Sequence, residues 1–276
     1  VTARFSQRLF GATLLALSPF AASGAARAET LHLDFDYQLT WHGILVYQMS
    51  SQGTIADDSY RLSYSGTTLG LFDILIAYES HAESTGRIVD GAAHPSSYRL
   101  DARWHGEARH VSLTYGPDGQ IKAEVAPPPE SENIDPVPEP MRENTIDPLS
   151  AATLVGLSGA RDAAATCASV VHVFDGRQRY DMRLENLGIE ELEKRSGDAY
   201  SGPALKCRVT IQRIAGFKYK SFVEPQRPPT TVWLARFVQG KLLLPVRLAT
   251  ETGLGDVVGS LTGIHIEVEP DKPKPP

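Results

Sequence analysis

The chain is poor in the residues and motifs that usually announce chemistry. It has only two cysteines in 276 residues, Cys167 and Cys207. That is too few thiolates for a sulfur-rich zinc or iron–sulfur centre. No H-E-x-x-H, phosphate-binding loop or G-x-S-x-G is present, and the eight histidines are scattered. "GLSGA" at 156–160 has a glycine where a nucleophile elbow needs a side chain, and "GLGDVVG" at 253–259 sits in no strand–helix–strand unit. Basic residues are in deficit: 27 Lys and Arg against 33 Asp and Glu, without a cationic cluster. Nucleic-acid binding, which relies on clustered Lys and Arg to displace counterions, is excluded on that ground. The chain also has no uninterrupted apolar run of the roughly 20 residues that a spanning helix needs.

The apolar run that does exist lies at residues 9–24, broken by Ser18-Pro19, behind Arg4 and Arg8 and ahead of Ala26-Arg27-Ala28. A basic start, a short apolar stretch and a small-x-small site predict a secretory signal peptide cleaved after Ala28. The leader carries three arginines and no acid, so its removal takes the formal charge from −6 to −9. A secreted chain reaches a compartment that permits disulfides, and Cys167 with Cys207 is then the expected bridge. Closing that loop is worth roughly 4 kcal/mol in the chain-entropy picture.

What is abundant is period-two alternation. In "LHLDFDYQLT", Leu31, Leu33, Phe35, Tyr37 and Leu39 share one face, which predicts a strand with one buried side. "WHG" at 41–43 turns the chain, "ILVYQMS" returns, and "SYRLSYS" alternates again. Leu69 to Leu75 reads as one or two turns of helix before an extended stretch from Tyr78. "SSYRLDARW", "HGE" and "ARHVSLTY" then repeat the strand–turn–strand pattern. At 126–143 it stops in a Pro- and Glu-rich segment, expected to be an exposed, partly disordered loop. Asp147 as a cap and Pro148 at the first turn predict a helix running to about Leu157.

Beyond the helix, "ASVVHVF", Asp175-Gly176 and "RQRYDMRLENL" predict a hairpin, because glycine accepts the positive φ of such turns. A Cys207-containing strand, a hairpin around "QGK", and a last strand with Gly259 and Gly263 at a bend or bulge complete residues 29–269. Residues 270–276 read as a flexible tail. The expectation is one mainly β domain: a large curved antiparallel sheet, or incomplete β-barrel, wrapped around one short helix. A membrane-spanning barrel is disfavoured by the Pro/Glu insertion and the uneven strand lengths.

Candidate functional residues are few. Arg177, Arg179 and Arg183 share one strand parity and are read as an anion- or partner-recognising strip, since guanidinium forks match carboxylate and phosphate. Tyr37, Tyr60, Tyr64 and Trp104 are candidates for an apolar cleft, because a wide curved sheet has more inner surface than one short helix covers. No catalytic residue, metal ligand or cofactor is predicted. His32, beside Asp34 on the polar face, is read as a solvated strand residue.

"RLSYSGTTLGLFDIL", "TIDPLSAATL", "VFDGRQRYDM", "CRVTIQRIAGF" and "LLLPVRL" occur in an order that resembles the uncharacterised periplasmic family catalogued as domain of unknown function 3108. Asp147-Pro148-Leu149-Ser150, Asp175-Gly176-Arg177 and Leu244-Pro245-Val246-Arg247 carry most of it. The resemblance implies a proteobacterial periplasmic protein, and by analogy of fold the open β-barrels of lipoprotein carriers; it implies no catalytic residues. The functional expectation is a non-enzymatic periplasmic protein that binds a lipid, lipoprotein or cell-wall component and supports the envelope. A protein-interaction module is the alternative, and a hydrolase with an unrecognised site ranks below it.

Overall fold

The computed structural model describes residues 29–218, 228–253 and 255–270. The expected leader at 1–28 and the tail beyond Pro270 lie outside the described residues. No described helix is long and apolar enough to cross a membrane.

Alternation becomes sheet almost everywhere. The first half supplies β1 (Glu29–Trp41), β2 (Ile44–Ile55), β3 (Ser59–Thr68), β4 (Tyr78–Val89), β5 (Ala92–Trp104), β6 (Glu107–Tyr115) and β7 (Ile121–Ala126). The second supplies β8 (Val170–Phe174), β9 (Arg179–Leu192), β10 (Gly202–Ala215), β11 (Thr230–Phe237), β12 (Leu242–Thr252) and β13 (Gly255–Pro270). All thirteen form one antiparallel sheet in the order β7-β6-β5-β4-β3-β2-β1-β13-β12-β11-β10-β9-β8. Two meanders are therefore joined by a single long-range pairing, β1 with β13, from Glu29↔Pro270 to Trp41↔Val257. The expected irregularity in the last strand is a bulge: Asp36 pairs with Gly263 and Tyr37 with Leu261, which leaves Thr262 unmatched.

Among the described residues four helices interrupt the strands: α1 (Leu71–Ile76), α2 (Glu139–Arg142), α3 (Pro148–Arg161) and α4 (Ala163–Thr166). α3 touches β4, β5, β8 and β12, strands far apart in the sheet order, so the sheet must curl around it. The curled sheet does not close, because β7 and β8 are not paired with each other. α3 continues past Leu157, its expected end, although Gly156 and Gly159 lie within it. Tertiary packing outweighs a glycine penalty of about 1 kcal/mol. A Cβ at Gly156 would lie 3.0 Å from the Leu243 carbonyl, so the glycine is what lets the helix lie against β12.

The Pro/Glu segment differs most from its sequence reading. It is a strap across the open seam between β7 and β8, with a 3-10 turn at Pro129–Glu132, α2, and a fully buried Val137. Its end extends the sheet at the free side of β8: Ile146 donates to the His172 carbonyl and Phe174 donates back to the Ile146 carbonyl. Glu132 accepts from Arg109 on β6 and from Arg177 beyond β8, tying the two edges together. Proline-rich composition lowers the entropy lost on ordering, and two arginines supply the attachment that hydropathy could not reveal.

Candidate functional site

Between α3 and the strands β1, β2, β3, β12 and β13 lies a cavity of about 220 Å³. Its walls are apolar: Phe35, Leu39, Met49, Leu62, Leu242 and Leu248 are among them. Ala152, on α3, faces it and is exposed, so the helix presents a methyl group where a larger side chain would fill the space. A broader depression of about 690 Å³ on the outer face of β2–β6 is lined by Gln48, Ser50, His81, Asp101 and His110. That surface is open, and its two histidines are already engaged, His110 with Asp101 at 2.8 Å and His81 with Ser65 at 2.9 Å. The smaller cavity is the better ligand site, because apolar enclosure is what binds an uncharged chain.

Of the four aromatic candidates, Tyr37 and Tyr64 line this cavity. The Tyr37 hydroxyl donates to the Pro245 carbonyl at 3.0 Å, and burial pushes its phenol well above the usual range. Burial pushes the Tyr64 phenol up to about 12. Both rings thus remain neutral and present carbon faces at ordinary pH. Tyr60 is in the core but turns toward α3. Trp104 lies elsewhere: it is 47% exposed at the end of β5, with Tyr78 packed edge-on and the Arg109 guanidinium 5.7 Å over its ring. Strand alternation predicted a face for Trp104, but the strand ends before that face is covered.

Beside the cavity the first turn of α3 holds a buried polar cluster. Asp147 caps the helix, its Oδ1 accepting from the Leu149 and Ser150 amides at 3.0 and 2.9 Å. Its Oδ2 accepts from the Ser84 hydroxyl at 3.1 Å and from the Ser150 hydroxyl. Tyr60 joins through Ser150 at 2.6 Å. Burial raises the Asp147 carboxyl despite these donors. Asp147, Ser150 and Ser84 are fully buried, so the cluster anchors the first turn of the helix in the core. The Asp-Pro-Leu-Ser spacing was readable as a helix start; that β3 and β4 would meet it was not.

The three arginines are not brought together as a strip. Arg177 lies in the β8–β9 turn, donating to Glu132 at 2.8 Å and to the Pro127 carbonyl. Arg179 donates to Asp181 at 2.6 Å, which also contacts His172. Burial would raise the Asp181 carboxyl, but the hydrogen bonds from His172 and Arg179 outweigh it and hold it below the usual range. Arg183 is exposed further along β9. Two of the three guanidiniums are therefore occupied by carboxylates of this chain. The Asp175-Gly176 hairpin itself forms as expected: the Asp175 carboxylate accepts from the Arg177 and Gln178 amides, and Gly176 has φ +96°.

Cys167 and Cys207 are disulfide-bonded, with Cα atoms 5.6 Å apart and both residues fully buried. Cys167 follows α4 and does not lie on β8, so the bridge pins the helical segment onto β10. Among the described residues no group of three His, Cys, Asp or Glu side chains could hold a metal ion.

The family model described as "Protein of unknown function (DUF3108)" matches residues 36–262. The chain belongs to this family. That span contains the α3 anchor, the disulfide and the cavity walls other than Leu33 and Phe35, so these are parts of the DUF3108 domain of this chain. A search of the curated proteins finds no match. Among solved structures, the chain is similar to a β-barrel-like protein of domain of unknown function DUF1849 from Brucella abortus. The identity is 10% and the TM-score 0.51, over 86% of this chain and 98% of that one. At that identity the likeness concerns the fold alone.

Proposed function

We propose that this DUF3108 protein is a non-enzymatic carrier or sensor of an apolar chain, held in the cavity between α3 and the β1–β3/β12–β13 wall. The observation that carries the reading is the small residue at the wall. A helix inside a curled sheet exposes Ala152 and leaves about 220 Å³ lined by apolar side chains unfilled. Well-packed interiors hold few voids larger than a water molecule, so a cavity of this size calls for a ligand. It is smaller than the roughly 300–1,000 Å³ of drug-sized sites, which suits one slender acyl or prenyl chain and not a bulky amphiphile. The disulfide fits an oxidising, extracytoplasmic compartment, and the leader expected from the sequence supports the periplasm as that compartment. The ligand would then be a lipid, a lipoprotein acyl chain or a lipid-linked cell-wall component, and the role maintenance of the envelope.

The rival reading, a partner-docking module built on residues 126–143, has less support. That segment is engaged with Arg109, Arg177 and the β8 edge.

Native mass spectrometry of protein purified without detergent tests the proposal. Stoichiometric bound lipid is expected for the natural chain and its loss for Ala152→Phe, which fills the cavity, at unchanged thermal stability. A bare natural protein that also ignores added fatty acid would reject it.

A further inference from the structure

The hairpins of the first meander turn at two ends of the sheet, and the two ends differ in chemistry. At one end the tips carry Asp57 and Asp58 between β2 and β3, Asp90 between β4 and β5, and Asp118 between β6 and β7. At the other, between β1 and β2, β3 and β4, and β5 and β6, the tips are apolar and aromatic. α1 forms the middle tip, and none of its six residues is buried. Leu71, Ile74 and Leu75 are 74%, 78% and 67% exposed. Their i, i+3, i+4 spacing makes one stripe on the helix, and here that stripe faces outward. The helix's one carboxylate, Asp73, accepts from the Thr68 hydroxyl at 3.0 Å, so its polar group is engaged with the protein while the leucines and isoleucine are in water.

Neighbouring tips extend the patch. Trp41 packs edge-on to Phe72 of α1 with ring centroids 5.5 Å apart, and Ile44 beside it is 60% exposed. On the other flank His105 donates its amide to the Ala77 carbonyl, which places the half-exposed Trp104 next to the end of α1. Three separate hairpins thus contribute to one apolar surface bordered by tryptophan. Folding does not explain it, because these side chains leave little of their surface inside the protein. Soluble surfaces rarely expose so contiguous an apolar group without a partner.

We propose that this end of the molecule docks on a lipid bilayer, with Leu71, Ile74 and Leu75 entering the acyl region and Trp41 and Trp104 at the headgroup level. The form of the patch selects a bilayer over a protein groove or a second copy: it consists of aliphatic side chains on protruding tips flanked by tryptophan, and a bilayer asks for buried apolar area and interfacial aromatics without a complementary shape. Leu39, which lines the cavity, is two residues from Trp41 on β1, so the docked rim and the cavity share one strand. Docking extends the cavity reading and does not depend on it.

The test is flotation of the protein with vesicles of phosphatidylethanolamine and phosphatidylglycerol. The natural chain is expected to float, and Ile74→Asp with Leu75→Asp to lower its partitioning by roughly tenfold or more, since each large aliphatic side chain contributes about that factor. Ile189→Asp, at an equally exposed site on β9, should float normally. Brominated lipid should quench Trp41 and Trp104 and spare the buried Trp233, so the response should disappear in the Trp41→Phe/Trp104→Phe protein. Ala152→Phe should float even if it has lost its bound lipid; a natural chain that floats but carries no lipid would support docking and reject the cavity reading alone. A natural chain that stays with the solvent, or loses as much through Ile189→Asp as through the rim, overturns docking. So does a non-floating dimer that the rim variant splits, which would assign the patch to self-association.

Discussion

The Tyr60 hydroxyl and the Ser150 hydroxyl lie 2.6 Å apart, 90 residues distant in sequence. This contact links β3 to the first turn of α3, and Ser150 passes it on to Ser84 at 3.0 Å and to Asp147. The helix that shapes the cavity is therefore located by hydroxyls as well as by apolar packing. Burial raises the Tyr60 phenol to about 12, so it remains neutral over the accessible pH range.

Removing one hydroxyl from this chain of contacts should be mild, and removing its centre should not. Tyr60→Phe is expected to cost about 1 kcal/mol, because Ser150 keeps Ser84 and Asp147. Ser150→Ala leaves Tyr60, Ser84 and the carboxylate under-satisfied in the interior and should cost up to about 3 kcal/mol. Urea midpoints of the two variants check the order, and equal losses would contradict it.

Asp147 should give the protein a pH dependence of defined sign. Its carboxyl is raised above 3.8 by burial, so the folded state holds the proton more tightly than the unfolded chain. The corresponding stability is fully present below 3.8 and is lost as pH rises through the raised folded value. Asp147→Asn keeps an acceptor for the helix cap and removes the titration. The difference between the two stability curves should therefore fall with pH across that window. A flat or rising difference would refute the assignment. Asp147→Ala should lose a further ~1 kcal/mol through the missing cap.

Glu132 acts in the opposite direction. The Arg109 hydrogen bond holds its carboxyl below the usual 4.5, so its contribution is present above that value and lost as pH falls through the lowered folded value. The strap should then open in acid. Protease cleavage within 127–146 is expected to increase at low pH in the natural protein. It should be fast already at neutral pH in Glu132→Ala, which leaves Arg109 and Arg177 without a carboxylate at the seam.

Reducing the disulfide should lower stability by about 4 kcal/mol, the entropy of closing a loop across a separation of 40 residues. Cys167→Ala/Cys207→Ala should show the same loss in oxidising buffer, and its melting temperature should be insensitive to reductant. Lipid binding should survive the change, because neither cysteine lines the cavity.

Much of this architecture was readable along the chain, since a strand's side-chain period is local. The alternation of Leu31, Leu33 and Phe35, the Asp175-Gly176 turn and the Asp147-Pro148 helix start follow from backbone geometry that neighbouring residues impose. What the residues along the chain could not determine was which strands meet. The pairing of β1 with β13, the seating of α3 by Tyr60 and Ser84, and the capture of Glu132 by Arg109 and Arg177 all join residues far apart in sequence. Strand parity also failed at ends: it put Trp104 in a cleft, whereas a face is covered only by what packs across it, and Trp104, paired with Tyr78 and Glu107 in the sheet, is left half-exposed. Sequence alone determined a β protein with one core helix and a bridgeable cysteine pair. Tertiary structure decided where the sheet curls, which aromatics face the cavity and which apolar tips are in water, because burial depends on the partner across the gap and not on the residue itself.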